Sequence, residues 1–159
     1  MLSEKPSILI IEGRFYQDVS DELAKGALAA IEEAGATYHR IEVPGALEIP
    51  QVLAFAIRGG LIPFGAARCG YHGAVALGCV IRGETSHYDI VANESARALM
   101  SLALEHGIPF GNGILTVENR SQALKRASIT QGNKGRAAAH ACLRMIDVFM
   151  ESHEFQRIQ

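Results

Sequence analysis

Residues 78–89, Gly-Cys-Val-Ile-Arg-Gly-Glu-Thr-Ser-His-Tyr-Asp, bring the most reactive side-chain types of the chain into one short stretch. Arg82 carries a fixed positive charge, and His87 is the residue type whose protonation changes most readily near neutral pH. The apolar run Ala74-Val75-Ala76-Leu77 enters the stretch and an amphipathic pattern leaves it, which predicts strand, glycine-containing loop and helix. In an open parallel sheet, ligands bind beyond the carboxyl ends of the strands. A helix that begins there turns unpaired N–H groups and the positive end of its dipole toward the same spot. The chemistry expected is a phosphate held beside a proton shuttle.

Other loops add groups of the right kind. Phe15 and Tyr16 follow a first predicted strand, and Ala46-Leu47-Glu48 follow a second. Gathered at one sheet edge with Arg82 and His87, they make an aromatic platform, a carboxylate, backbone donors and an imidazole. Each has a structural alternative. A loop histidine is commonly a solvated or structurally bonded side chain, and Glu48 can simply support a turn or a helix start. Phe15 can be core, and Arg126 can serve a helix end or a surface ion pair. Cys79 is expected to pack at a strand end, with no base beside it to make it a nucleophile.

The elements that must position these groups alternate regularly. Residues 7–12 form a strand-length apolar run, and Asp18 is placed to cap a helix carrying Val19, Leu23, Ala27, Ala30, Ile31 and Ala34 up to Gly35. Residues 38–43 alternate and stop at Pro44-Gly45, and Pro50 opens a second helix with Val52, Leu53, Phe55, Ala56 and Ile57 on its apolar face. Residues 59–70 read as a surface connection. A central strand over residues 73–81 precedes the loop and a helix whose face is Tyr88, Val91, Ser95, Ala98, Leu99 and Leu102, ended by Gly107. Ile114, Leu115 and Val117 mark a fourth strand, and Thr116 or Asn119 starts a short helix through Arg126. A polar loop, 128–135, leads to a last helix with a stripe of Ala138, Ala141, Cys142, Met145, Val148 and Phe149 and a polar tail from Glu151. Repeated βα order with long crossovers predicts an α/β fold with a four-stranded parallel sheet covered on both faces.

Composition narrows the function. A chain of 159 residues, about half of them apolar, suits a single globular domain spanning 1–159. The net charge of −2, with no basic run longer than a pair, argues against nucleic acid and anionic membrane as partners. The start of the chain does not read as a secretory leader and no apolar segment has spanning length, so a cytoplasmic location is expected. Three widely spaced cysteines, Cys69, Cys79 and Cys142, fit reduced thiols, and six scattered histidines form no metal-ligand pattern. There is no G-x-x-x-x-G-K-[ST], and Gly111-Asn112-Gly113 precedes a strand where a dinucleotide fingerprint would follow one. From the residues alone, the reading ends at an α/β protein that binds a small phosphorylated ligand.

The spelling of the loops carries further. Gly13-Arg14-Phe15, Val43-Pro44-Gly45-Ala46-Leu47-Glu48-Ile49-Pro50, Val80-Ile81-Arg82-Gly83-Glu84-Thr85-Ser86-His87-Tyr88-Asp89, Asn93-Glu94, Gly113-Ile114-Leu115-Thr116-Val117-Glu118-Asn119 and Asn133-Lys134-Gly135 occur in the order and spacing of one family. Over nearly its whole length the chain resembles the lumazine synthases of riboflavin biosynthesis. The resemblance implies a flavodoxin-like, three-layer αβα sandwich. It implies a cofactor- and metal-independent condensation of 5-amino-6-(D-ribitylamino)uracil with 3,4-dihydroxy-2-butanone 4-phosphate. The products are 6,7-dimethyl-8-ribityllumazine, phosphate and water.

By the same resemblance, Phe15 stacks on the pyrimidine, and Ala46, Leu47, Glu48, Cys79, Val80 and Ile81 line the pyrimidine and ribityl pocket. Glu84 and Thr85 bind phosphate largely through loop backbone, and His87 donates and accepts protons. The adjacent subunit of a homopentamer completes the site with Asn112 and Arg126, Lys134 lying nearby. This chain departs from many relatives in having Asn112 where they carry an aromatic ring, which removes one wall of a stacking sandwich. It also lacks the Gly-x-Lys ahead of Asn133-Lys134-Gly135 that many shell-forming members have, which favours a pentamer over larger shells. A flavin-binding relative without turnover, or a mainly structural assembly, remains an alternative at this stage.

Overall fold

The computed structural model describes residues 5–157, with side chains through residue 153. Four strands, β1 (Ser7–Gly13), β2 (Thr37–Val43), β3 (Gly73–Ile81) and β4 (Phe110–Val117), form one parallel sheet in the order β2-β1-β3-β4. Five helices connect and cover them: α1 (Gln17–Glu33), α2 (Ile49–Arg58), α3 (His87–His106), α4 (Arg120–Ala127) and α5 (Lys134–Arg157). A single 3₁₀ turn, Ala46–Glu48, joins β2 to α2. The result is a three-layer αβα sandwich of flavodoxin-like type. Strands buried on both faces read as continuous apolar runs because helices cover each side. Ile8 and Ile10 of β1 join Val75 and Leu77 of β3 in a core beneath α1, α4 and α5. Leu9 and Ile11 join Ala74 and Ala76 in a second core beneath α2 and α3. The period of two along each strand thus feeds both layers.

Helix ends follow local chemistry. Gly35 and Gly107 take the left-handed conformation past α1 and α3, at φ 71° and 63°. Asn119 caps α4, its Oδ1 accepting the N–H of Gln122 at 2.9 Å. Asp18 does not cap α1 as expected. The cap position is Tyr16, and Asp18 lies in the first turn, where it pairs with Arg120 of α4. β4 begins at Phe110, four residues before the expected start, because Ala74 and Phe110 are already register partners. The close approach of α5 permits no side chain at Gly111, whose Cβ would lie 1.9 Å from the carbonyl oxygen of Ala138.

Two helical faces differ from expectation. The buried positions of α3 are Ala92, Ser95, Leu99 and Ala103, rotated from the expected stripe, so that Tyr88 and Val91 turn away from the core. In α5 the sheet side is Ala138, Ala139, Cys142 and Ile146, whereas Ala141, Met145 and Val148 are exposed in the single chain. Periodicity marks a helix as apolar without saying which of two adjacent apolar stripes meets its own sheet. The helix continues through the expected polar tail to Arg157, and positions 1–4 and 158–159 of the expected domain lie outside the described residues. Residues 59–70 wrap the opposite end of the sheet from the strand carboxyl ends, with a cis Ile62-Pro63 bond and Ile62 buried in the second core. Among the described residues no helix is long and apolar enough to cross a membrane.

Candidate active site

Strand order reverses between β1 and β3, and the crevice outside their carboxyl ends is where such sheets bind ligands. A cleft of about 320 Å³ opens there. Phe15 and Tyr16 contribute from the end of β1, Gly45, Ala46, Leu47 and Glu48 from the turn after β2, and Cys79, Val80 and Ile81 from the end of β3. Gly83 and Thr85 come from the following loop, and His87, Tyr88 and Val91 from the first turns of α3.

Backbone proximity draws the first two loops together. A Cβ at Gly13 would stand 2.8 Å from the carbonyl carbon of Gly45 and 3.1 Å from the amide nitrogen of Ala46, so glycine is required for the contact. Beside it, the carboxylate of Glu12 is 1 % exposed and gripped by two guanidinium groups. Arg40 binds it through Nε at 2.7 Å and Nη2 at 3.0 Å, and Arg14 through Nη1 at 2.9 Å. Arg14 also pairs with Asp21 on α1, and its N–H donates to the carbonyl of Val43 at 3.2 Å. Phe15 follows directly from this fixed point. Its ring is 72 % exposed and meets Tyr16 edge to face at 5.0 Å, leaving one aromatic face open to the cleft. The network escaped the sequence reading, although a lone glutamate ending the apolar run 7–12 was its visible sign.

The β3 side supplies polar groups of a different kind. Cys79 is buried, and burial pushes its thiol up to about 11, so it meets the cleft as a neutral wall. Thr85 Oγ1 accepts the N–H of His87 at 3.3 Å, leaving the imidazole exposed at the mouth. Arg82 does not face the cleft as the sequence suggested. Its Nε donates to Glu118 at 2.8 Å, its Nη1 lies 3.4 Å from Asp89, and its guanidinium lies 4.2 Å above the Tyr88 ring. The carboxylate after β4 and the first turn of α3 claim its charge. Glu84 is exposed on the same loop and is not part of the cleft wall. Tyr88 and Val91, read from the sequence as core positions of a helix, are walls the sequence reading missed.

Asn112 and Arg126 lie in a second hollow of about 380 Å³ on the β4 edge, together with Thr116, Lys134, Ala137 and Ala141. Asn112 Oδ1 accepts the N–H of Ile114 at 2.9 Å, and Arg126 Nη1 donates to the carbonyl of Gln122 at 3.3 Å. No acidic side chain is paired with Arg126 or Lys134 among the described residues. The predicted residues therefore form two groups on one chain. Phe15, Ala46, Leu47, Glu48, Cys79, Val80, Ile81, Thr85 and His87 share the first hollow, and Asn112 and Arg126 share the other. Among the described residues no group of three or more His, Cys, Asp or Glu is arranged to hold a metal ion.

Known proteins match this chain over most of its length. The family model for 6,7-dimethyl-8-ribityllumazine synthase matches residues 5–150. A 6,7-dimethyl-8-ribityllumazine synthase of Agrobacterium fabrum is 56 % identical over 146 residues, which cover 91 % of this chain and 95 % of the relative. The 6,7-dimethyl-8-ribityllumazine synthase 1 of Rhizobium meliloti is 57 % identical over 141 residues, covering 89 % and 90 %. That of Bartonella tribocorum is 52 % identical over 145 residues, covering 91 % of each. With the strand order, the cleft at its switch point and these matches in agreement, the chain belongs to the 6,7-dimethyl-8-ribityllumazine synthase family.

Proposed function

We propose that this chain, as one domain, condenses 5-amino-6-(D-ribitylamino)uracil with 3,4-dihydroxy-2-butanone 4-phosphate in a cytoplasmic homopentamer whose sites lie between adjacent protomers. The observation that carries the reading is the division of the candidate groups between two hollows. The first holds an aromatic face, an imidazole and loop backbone, and the second holds unneutralised cationic side chains beside the exposed apolar stripe of α5. Packing the second hollow of one copy against the first hollow of the next covers that stripe and supplies positive charge to the loop at residues 83–87. Free thiols at Cys69, Cys79 and Cys142 fit a reducing compartment.

In this reading Phe15 stacks on the pyrimidine, and residues 46–48 with Cys79, Val80 and Ile81 receive its polar edge and the ribityl chain. Thr85, with the backbone around Glu84, holds the phosphate, and a neighbouring Arg126 grips it with its forked, permanent charge. Asn112 of that neighbour offers an amide where a second ring would stack. The primary amine of the pyrimidine adds to the ketone, and loss of water gives a Schiff base. A proton leaves C3 as the C4–O bond to phosphate breaks, the resulting enol takes up a proton at C4 to become a ketone, and attack of the ribityl-bearing nitrogen on this new carbonyl expels a second water. His87 receives and returns these protons. Alignment of two reactants can remove about 7–11 kcal/mol of barrier, against roughly 10²- to 10⁴-fold from one acid/base group, so positioning dominates.

The test is direct. Mixing both substrates with the protein should develop lumazine absorbance and fluorescence together with stoichiometric phosphate. A protein that binds the pyrimidine without releasing phosphate would overturn the reading in favour of a binding role.

A further inference from the structure

Arg82 is a permanent charge one residue past β3, flanking the cleft without lining it. Its guanidinium closes a ring across its own loop, since Tyr88 and Asp89 stand on the far side of residues 83–87. Those five residues are all exposed. Their local support is slight: the 3.3 Å contact of Thr85 with the His87 N–H, and a 3.0 Å bond from the Asp89 N–H to the carbonyl of Ser86. A loop so lightly held keeps its shape only if its base is fixed.

The same guanidinium reaches the second hollow by way of Glu118. The Glu118 side chain accepts from Arg82 Nε, while its N–H donates to Gln122 Oε1 at 2.8 Å. Gln122 in turn accepts Arg126 Nη1 on its carbonyl. Arg82 thus stands at the junction of the loop that presents Thr85 and His87 and the helix that presents Arg126. Exposed ion pairs taken singly contribute little. A fork that bonds two carboxylates while stacking on a tyrosine face has its value in geometry, and a lysine cannot reproduce it.

We propose that Arg82 is a positioning residue: by tying Glu118, Tyr88 and Asp89 together it sets both the His87 loop of its own cleft and the α4 helix that serves the neighbouring one. This rests on the phosphate-side assignment given above. The experiment is steady-state kinetics on the full-length R82Q, R82K and E118Q proteins, each substrate varied in turn, with thermal unfolding in parallel. A misplacement of the order of 1 Å can cost up to ~10²-fold. R82Q is expected to raise KM for the butanone phosphate about tenfold and lower kcat severalfold. KM for the pyrimidine should stay within about twofold, with the unfolding temperature unchanged. R82K should stay close to R82Q, and E118Q should shift the same constant by less. Unchanged constants in R82Q and E118Q, equal changes for both substrates, full rescue by lysine, or losses that track a fall in unfolding temperature would each overturn the inference. A wild-type protein that makes no lumazine ends the functional reading and this one with it, whereas an active wild type beside an unaltered R82Q ends this one alone.

Discussion

The hollow at the ends of β1 and β3 and the hollow on the β4 edge are built in opposite ways. The first grows out of the core: Cys79 and Val80 are buried strand-end residues, and Phe15 follows Arg14, which the buried Glu12 carboxylate holds. The second is a shallow surface, floored by an edge strand and walled by the exposed positions Ala137 and Ala141 of α5. One chain holds the first in shape by its own packing. The second is open, with cations and an apolar stripe that none of the described residues covers. The difference teaches that one chain keeps the candidate groups in two separate hollows, which fits the proposal that each protomer supplies half of two sites.

The most severe test of that comparison targets the proposed meeting of the two hollows between copies. A141E puts a charge into the apolar stripe, and the expected result is a smaller particle by sedimentation with native helical content. Activity should drop by about 10³-fold or more, because alignment of the reactants is lost with the interface. An active monomer would show that the first hollow suffices. Next come the two groups themselves. R126A should raise KM for the phosphorylated substrate by about 10–100-fold, as expected for loss of a charge-assisted contact, and H87A should lower kcat about 10²-fold. Mixing these two variants under subunit exchange should return roughly a quarter of the interfaces to full function, since each mutant retains the half the other lost. Additive, unrestored activity would refute shared sites.

The smallest effect sharpens the account of the core rather than of the interface. Burial pushes the thiols of Cys142 and Cys79 up to about 12 and about 11. Because the folded state keeps these protons longer than the unfolded chain, their contribution is complete below about pH 9 and is lost as pH rises toward 12. Each thiol then removes at most ~1.4 kcal/mol per pH unit across its window. Urea unfolding at pH 8 and pH 11 should show a smaller difference in C142A than in the wild type, and equal differences would remove this origin of alkaline sensitivity.

Much of the fold was legible because strand, turn and helix signals agreed along the chain. Gly35, Pro50, Gly107 and Asn119 act where their conformational or capping chemistry predicts. The loop at 83–87 and its histidine were legible for the same reason, as a glycine-containing turn between a buried strand and a helix. What escaped depended on contacts far apart in sequence. Arg82 looked like a ligand because its partner Glu118 is 36 residues away, and the grip of Arg40 on Glu12 spans 28. The division of the candidate residues between two hollows could not follow from spacing either. Asn112 and Arg126 declare their hollow only once β4 is seen to be an edge.

The clasp on Glu12 carries a consequence for how the sheet finds its pairing. Glu12 shares a face with Ile8 and Ile10, and Arg40 sits across from Ile10 on β2. Sliding β2 along β1 by a single residue would turn Arg40 to the opposite layer and leave the Glu12 carboxylate, among aliphatic side chains, with Arg14 as its one guanidinium partner. Hydrophobic alternation is weak on β2, most of whose residues face solvent, so greasy contacts alone would tolerate several alignments. The acid and its two bases act as a lock and its tumblers, admitting the one alignment that also brings Gly13 against Gly45 and delivers Phe15 to its post.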